Sequence, residues 1–368
     1  MKKPFIWIAI LPLIMILVLP LGASTKVLSP GDFFPQYRFG PDISSADAAY
    51  LGVAHVLEGK GEFHVEDVWG EVLVLELFNR FCFGCQQGAP LMNKAYEMVA
   101  SDPSLSTKVR FLGVGVGNNM KTVNDFRREF DVLFPLVPDP RFGILDAVGN
   151  PGGTPYTMIL KKTSGGLLLL VAHFGVLDSA EGFVNEVRKV AAGDVQQLLG
   201  DTRKAELPPR AWKKLVPPIS EAQIESLVLK SMERAGYGSV GLYSVQLPDG
   251  ESVYIGESNR GKVFSRVISR LPVCDVCHSV HFILTLNSRG QIVDFDAIYV
   301  TKYWNEVWSE EEVDQMRRRL LGLSALEERE FDPEVDAVST ATMSSSLIFD
   351  SLDKTGPVFK ILKEKGIL

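Results

Sequence analysis

An α/β domain followed by a smaller α+β domain is the architecture the sequence predicts, and three observations carry it. The chain has 368 residues, more than single cores of ~250–300 residues hold, so two domains are expected. Between residues 72 and 191, apolar runs of strand length alternate with stretches of helical periodicity, the pattern of α/β layers. Beyond a polar, proline-bearing stretch at 201–219, short strand-like runs separated by turn signals lie between two capped helices, which describes a meandering α+β domain.

The division expected is a targeting segment at 1–25, the α/β domain at 27–200, a semi-stiff linker at 201–219 and the second domain at 220–368. Lys2 and Lys3 precede a nearly unbroken apolar run, and Leu21-Gly22-Ala23 offers a small-residue cleavage site. The run is long enough to stay as a membrane anchor, although Pro12 and Pro20 weaken a straight spanning helix. Export follows either way, to a periplasmic or comparable compartment. The formal net charge of −7 gives no reason to expect nucleic acid as a partner.

The four cysteines fall into two pairs, Cys82-Phe83-Gly84-Cys85 and Cys274-Asp275-Val276-Cys277. Such short loops make poor structural staples, because closing them removes little unfolded-state entropy. They make good redox couples, metal sites or haem attachment points. The first pair follows the buried-strand run at 72–78 and precedes helical spacing at 90–99. Cys82 therefore sits where a strand hands over to a helix, and the unpaired amides there favour its thiolate. This placement predicts an exposed Cys82 with Cys85 shielded behind it as the resolving thiol. Zinc binding by this pair would need two further ligands, and no histidine lies within about 15 residues on either side.

Strands are expected at 109–116, 156–160 and 167–171, and helices at 121–130 and 183–191. The residues 27–195 resemble the thioredoxin superfamily, in particular its exported TlpA-like and peroxiredoxin-like members. Cys82 and Cys85 match the redox pair, Pro90 matches the helix-kinking proline, and Thr154-Pro155 matches the cis-proline turn that faces the dithiol. The resemblance implies thiol–disulfide exchange with protein partners. It also implies a proton-moving role for Glu76, six residues before Cys82. Phe83-Gly84 replaces the common Gly-Pro, and Phe81 stands where tryptophan is usual.

In the second half, Ser220 and Gln223 form a capping box, with Ile224, Leu227, Val228 and Met232 along one helix face. Strands are expected at 241–247, 252–255, 278–286 and 292–300, and a further capped helix begins at Ser309 with Glu312. Residues 221–353 resemble FMN-binding domains of sodium-pumping and Rnf-type reductases. The match rests on Asp336-Ala-Val-Ser339-Thr340-Ala341-Thr342, close to the flavin-attachment sequence Asp-x-x-Ser-Gly-Ala-Thr. The resemblance implies FMN joined through its phosphate to Thr342 by a flavin transferase, ahead of a helix expected at 344–352, whose N-terminus suits a phosphodiester. Asp336, Ser339, Thr340 and Ala341 would complete the site. Thr340 departs from the family's glycine.

The second pair runs into His278, and Cys-x-x-Cys-His is also the attachment signature of haem c. Against haem, the motif leads into a strand, and a second axial ligand would have to be His281 or Met343. A second dithiol exchanging electrons with the flavin or the first domain, and a plain loop disulfide, account for the same residues. The leading expectation is an extracytoplasmic electron-transfer protein in which Cys82–Cys85 exchange is coupled to a flavin domain. Its rivals are a haem-carrying subunit of a membrane complex and a thioredoxin-like module that binds partners without turnover.

Overall fold

The computed structural model describes residues 26–200, 215–238, 241–247 and 252–368. The leader at 1–25, most of the linker (201–214) and the Pro248-Asp249-Gly250 turn lie outside the described residues. Among the described residues, no helix is long and apolar enough to cross a membrane.

The first half begins with β1 (Arg38–Phe39), α1 (Ser45–Leu51), α2 (Ala54–Lys60) and β2 (Phe63–His64). Then come β3 (Val72–Phe78), α3 (Phe83–Ser101), β4 (Val109–Val116), α4 (Met120–Glu129), β5 (Leu136–Asp139) and α5 (Gly143–Ala147). The hairpin β6 (Tyr156–Thr163) and β7 (Gly166–Phe174) follows, with α6 (Ala180–Ala192) and α7 (Val195–Gly200) closing the half. The sheet order is β5-β4-β3-β6-β7. β3 pairs parallel with β4 and antiparallel with β6.

All seven residues of β3 are buried, as expected of a central strand covered on both faces. Its side chains alternate between two apolar clusters. Leu73, Leu75 and Leu77 enter one. Val72, Val74 and Phe78 enter the other, with Met92 and Ala95 of α3 and Val184 and Val187 of α6. The two-residue period puts Glu76 on this second face, the face that also holds Cys82 and Cys85.

The second half opens with α8 (Glu221–Arg234), whose Ser220–Gln223 capping box forms as expected. A five-stranded antiparallel meander follows, in the order β12-β11-β10-β9-β8. Its strands are β8 (Gly241–Gln246), β9 (Ser252–Ser258), β10 (Gly261–Arg270), β11 (Val280–Asn287) and β12 (Ile292–Tyr299). The helices α9 (Glu310–Leu320), α10 (Thr342–Asp353) and α11 (Thr355–Glu364) complete it. α8 packs Val228 and Met232 onto Tyr254, Val263 and Ile283.

The other face of the meander, with Phe264, Phe282 and Leu284, joins the same apolar cluster as Leu75 and Val114 of the first half. Polar ties reinforce the seam: Lys354 with Asp146 at 2.6 Å, Arg141 with Glu328 at 3.0 Å, and Arg270 over the Phe142 ring. The halves therefore share one continuous core.

A shared core couples the stability of the two halves, because neither buries its full apolar surface alone. Chemical denaturation of the full chain is expected to give one transition, coincident by far-ultraviolet circular dichroism and by tryptophan fluorescence. Two separate transitions would mean that the halves fold independently.

Candidate active site

β3 ends at Phe78, and the turn into α3 is built by Asn79. Its Nδ2 donates to the Val116 carbonyl at 2.7 Å, and its Oδ1 accepts from the Phe81 amide at 2.9 Å. Its own amide points at Cys85 Sγ, 3.4 Å away. Sequence reasoning passed over this residue, although an amide side chain ending an apolar strand run is a signal of a shaped turn. Cys82 is the N-cap of α3, with φ −82° and ψ 119°, and Cys85 lies in the first turn. Pro90 lies inside the same helix.

Thr154–Pro155 is a cis peptide, and Cys82 Sγ lies 3.3 Å from the Thr154 carbonyl oxygen. Hydrogen bonds from Cys274, then Cys85, hold the Cys82 thiol well below its usual range. Burial pushes Cys85 well above it, reinforced by the neighbouring Cys82. The pair is therefore differentiated into a stabilised thiolate and a protonated reserve. Glu76 is pushed up to about 8 by burial and by the charge of Cys82, so its carboxyl carries a proton at neutral pH.

The expectation of an exposed Cys82 is corrected. Cys82 is fully buried (0% exposed), because the loop carrying the second cysteine pair covers it. Thr154 forms a parallel β-bridge with Cys274. The Thr154 amide donates to the Val273 carbonyl at 2.7 Å, and the Asp275 amide donates to the Thr154 carbonyl at 3.0 Å. Thr154 Oγ1 adds a bond to the Val273 carbonyl at 2.8 Å. Cys82 Sγ, Cys274 Sγ and an Asp275 carboxylate oxygen lie within 4.8 Å of one another. These three could ligate a soft metal ion, a possibility the spacing of either pair alone does not disclose. Thr154 belongs to the turn expected to face the dithiol, whereas Asp275 is a further site residue that only the fold reveals.

Cys277 lies half-buried, its amide donating to the Cys274 carbonyl at 3.3 Å. His278 bonds through Nδ1 to the Tyr299 hydroxyl at 2.7 Å and stacks on that ring. His281 bonds to Ser269 at 2.8 Å and is pushed down to about 4 by burial.

The flavin-like motif lies at the same seam. Asp336 is buried and accepts from the Asp332 amide at 2.9 Å, closing the loop ahead of the motif. Ser339 and Thr340 are exposed, and Ala341 is the buried N-cap of α10. The helix begins at Thr342, two residues earlier than expected, so the threonine belongs to its first turn. Thr340 adopts φ 61°, the left-handed region in which glycine is unstrained. A cavity of about 650 Å³ opens between the halves, lined among others by Phe81, Phe83, Cys277, Tyr303, Trp304 and Thr342. Trp304 at its mouth is 77% exposed.

No protein-family model matches the chain. Over 106 residues it is 30% identical to the thiol-disulfide oxidoreductase ResA of Geobacillus thermodenitrificans, spanning 29% of this chain and 57% of that protein. Over 104 residues it is 30% identical to ResA of Geobacillus kaustophilus, spanning 28% and 56%. The chain thus spans a little over half the length of the curated relatives it matches. StoA from Bacillus subtilis, a solved structure, aligns with a TM-score of 0.29 and 19% identity over 36% of this chain and 91% of that one. Its strand order, cis-proline turn and strand-to-helix dithiol give the first half a thioredoxin-like α/β fold.

Proposed function

We propose that the chain is an extracytoplasmic thiol-disulfide oxidoreductase that exchanges disulfides with protein partners and is coupled to a flavin in its second half. One observation carries the exchange reading: Cys82 caps α3 as a stabilised thiolate, with the protonated Cys85 one turn behind it. In such a pair the outer thiolate attacks a disulfide sulfur and the inner thiol then releases the partner. Glu76, on the same face of the sheet and protonated at neutral pH, is suited to hold the proton that Cys85 loses and regains. The apolar leader expected at 1–25 supports placement outside the cytoplasm.

The flavin reading is supported by the site's chemistry. Thr342 offers a hydroxyl in the first turn of a twelve-residue helix, whose unpaired amides favour a phosphate. The cavity of about 650 Å³ lies within the ~300–1,000 Å³ of small-molecule and cofactor sites. Tyr303, Trp304 and Met343 give it the apolar and aromatic lining an isoalloxazine ring requires. Bound there, FMN would supply two-electron chemistry with thiols and one-electron chemistry with a membrane electron-transfer complex. Haem c has less support. Cys274 Sγ is turned toward Cys82, while His278 and His281 are bonded to Tyr299 and Ser269.

Three outcomes test this reading. Alkylation of Cys82 by iodoacetamide, slowed by the loop that covers the thiol, should still follow a pH midpoint below the ordinary ~8.5, and Cys82→Ser should abolish reduction of a protein disulfide. A midpoint at or above ~8.5 would contradict an activated thiol.

Glu76 has a stability signature of its own. Its folded-state value of about 8 lies above the ordinary 4.5, so between those pH values the folded state binds a proton that the unfolded state has lost. Stability contributed by this group therefore falls as pH rises through that window. Glu76→Gln should flatten that fall, measured by urea denaturation at pH 5 and pH 8. An unchanged slope would mean an ordinary, ionised carboxylate.

Co-expression with a flavin transferase should add about 438 Da, FMN less water, to the chain. Thr342→Ala should remove that adduct, with a stability change within ~0.5 kcal/mol. Thr340→Gly should retain the adduct and stabilise the loop by relieving its left-handed threonine. An unmodified wild-type chain would count against flavin attachment.

A further inference from the structure

The second cysteine pair belongs to neither the exchange reading nor the flavin reading by itself, yet its first member is buried against the first pair. Cys274 is a member of the first half's apolar cluster, 2% exposed. The residue before the cis-proline pairs its backbone with the two residues flanking Cys274, at 2.7 Å and 3.0 Å. This is how an extended peptide adds to an open backbone edge, with main-chain bonds fixing register and a side chain delivered to the pocket. The side chain delivered here is a thiol.

At Gly153 the approach is closer than a side chain permits, and at Gly84 it is tight. A Cβ on Gly153 would lie 2.6 Å from the Cys274 carbonyl carbon, and one on Gly84 would lie 3.1 Å from Pro155 and 3.4 Å from Asp275. Cys82 Sγ and Cys274 Sγ lie within 4.8 Å of one another, with Cys85 in the first turn behind Cys82 and Cys277 three residues beyond Cys274. Cys277 lies on the wall of the cavity.

From this placement we infer that Cys274–Cys277 is the built-in exchange partner of Cys82–Cys85, seated in the groove as a tethered substrate, with Cys274 as the sulfur that Cys82 attacks. The inference rests on reading Cys82 as the exchanging thiol. The Cys82 thiolate attacks Cys274 Sγ of an oxidised second pair. The Cys82–Cys274 bond forms, the Cys274–Cys277 bond breaks, and Cys277 leaves as a thiolate beside the cavity. Cys85 then gives up its proton and attacks Cys82. The Cys82–Cys85 bond forms, the Cys82–Cys274 bond breaks, and Cys274 takes the proton. Two electrons and one proton have moved from the first pair to the second, and no outside reductant enters. Run backwards, the same steps reduce the first pair.

Attack on Cys274 rather than Cys277 is fixed by position, since Cys274 and not Cys277 shares the bridge with Thr154.

The test uses the full chain. In Cys85→Ser/Cys277→Ser, mild oxidation with diamide should link Cys82 to Cys274 within one chain, read by non-reducing peptide mass spectrometry. The rate should be independent of protein concentration. In Cys85→Ser/Cys274→Ser, the Cys82–Cys277 link should form at least ~10-fold more slowly, because only Cys274 is held by backbone pairing. Equal rates in the two variants, or linkage only between chains, would overturn the inference.

Wild-type protein gives a second readout that does not depend on folding of the variants. After substoichiometric reduction of the fully oxidised chain, disulfide should redistribute between the two pairs with first-order kinetics. Redistribution that scales with protein concentration, or fails to occur, would also overturn it. Failure of the exchange reading looks different: Cys82 would then be inert to alkylation below pH ~8.5, whereas a failed relay leaves Cys82 reactive and Cys274 unlinked.

Discussion

The backbone pairing of Thr154 with Val273 and Asp275 is the contact on which the organisation of this molecule turns. Two amide–carbonyl bonds cross from one half to the other beside the cis-proline. They determine that Cys274 meets Cys82, that Cys82 is buried, and that the cavity lies against Cys277. Individually such bonds contribute only about 0.5–1.5 kcal/mol net. Their effect is positional, because the shared apolar core already holds the halves together. The core supplies the free energy of docking, and the bridge sets its register.

That division explains the electrostatics. A thiolate inside an apolar cluster is unfavourable unless donors surround it. At Cys82 the donors come from both halves: Cys85 and the helix start on one side, Cys274 on the other. Glu76 is the counterpart, a carboxyl that cannot ionise cheaply in an all-apolar strand next to that charge. One site thus holds a charged sulfur and a neutral acid within a single buried face of the sheet.

Much of the first half is legible in the sequence because its strands are buried on both faces and read as unbroken apolar runs, as 72–78 does. The dithiol, its helix and the Thr154-Pro155 turn follow from local spacing. Cover over Cys82 is not legible, because it comes from residues about 190 positions away and depends on tertiary docking. In the second half, β10 escapes sequence reading for a different reason. Ser265 and Arg266 are buried in mid-strand, bonded to Thr285 at 2.7 Å and Thr355 at 2.6 Å, so the strand shows neither alternation nor a continuous apolar run. The Gly356-Pro357 pair hides α11 in the same way, since it reads as a break but occupies the first turn of a helix. Thr340 is the converse case. The motif's departure from glycine is visible in the sequence, and its left-handed φ shows what the departure costs in local conformation.

The most direct measurement of the central claim is amide hydrogen exchange at Thr154 and Asp275 in the reduced, full-length chain. With the halves docked as described, both amides are bonded across the seam. They should exchange far more slowly than unstructured backbone, at rates like those of the core strands. Exchange at the rate of an open loop, with β3 still protected, would mean that the second cysteine pair is not seated on Cys82.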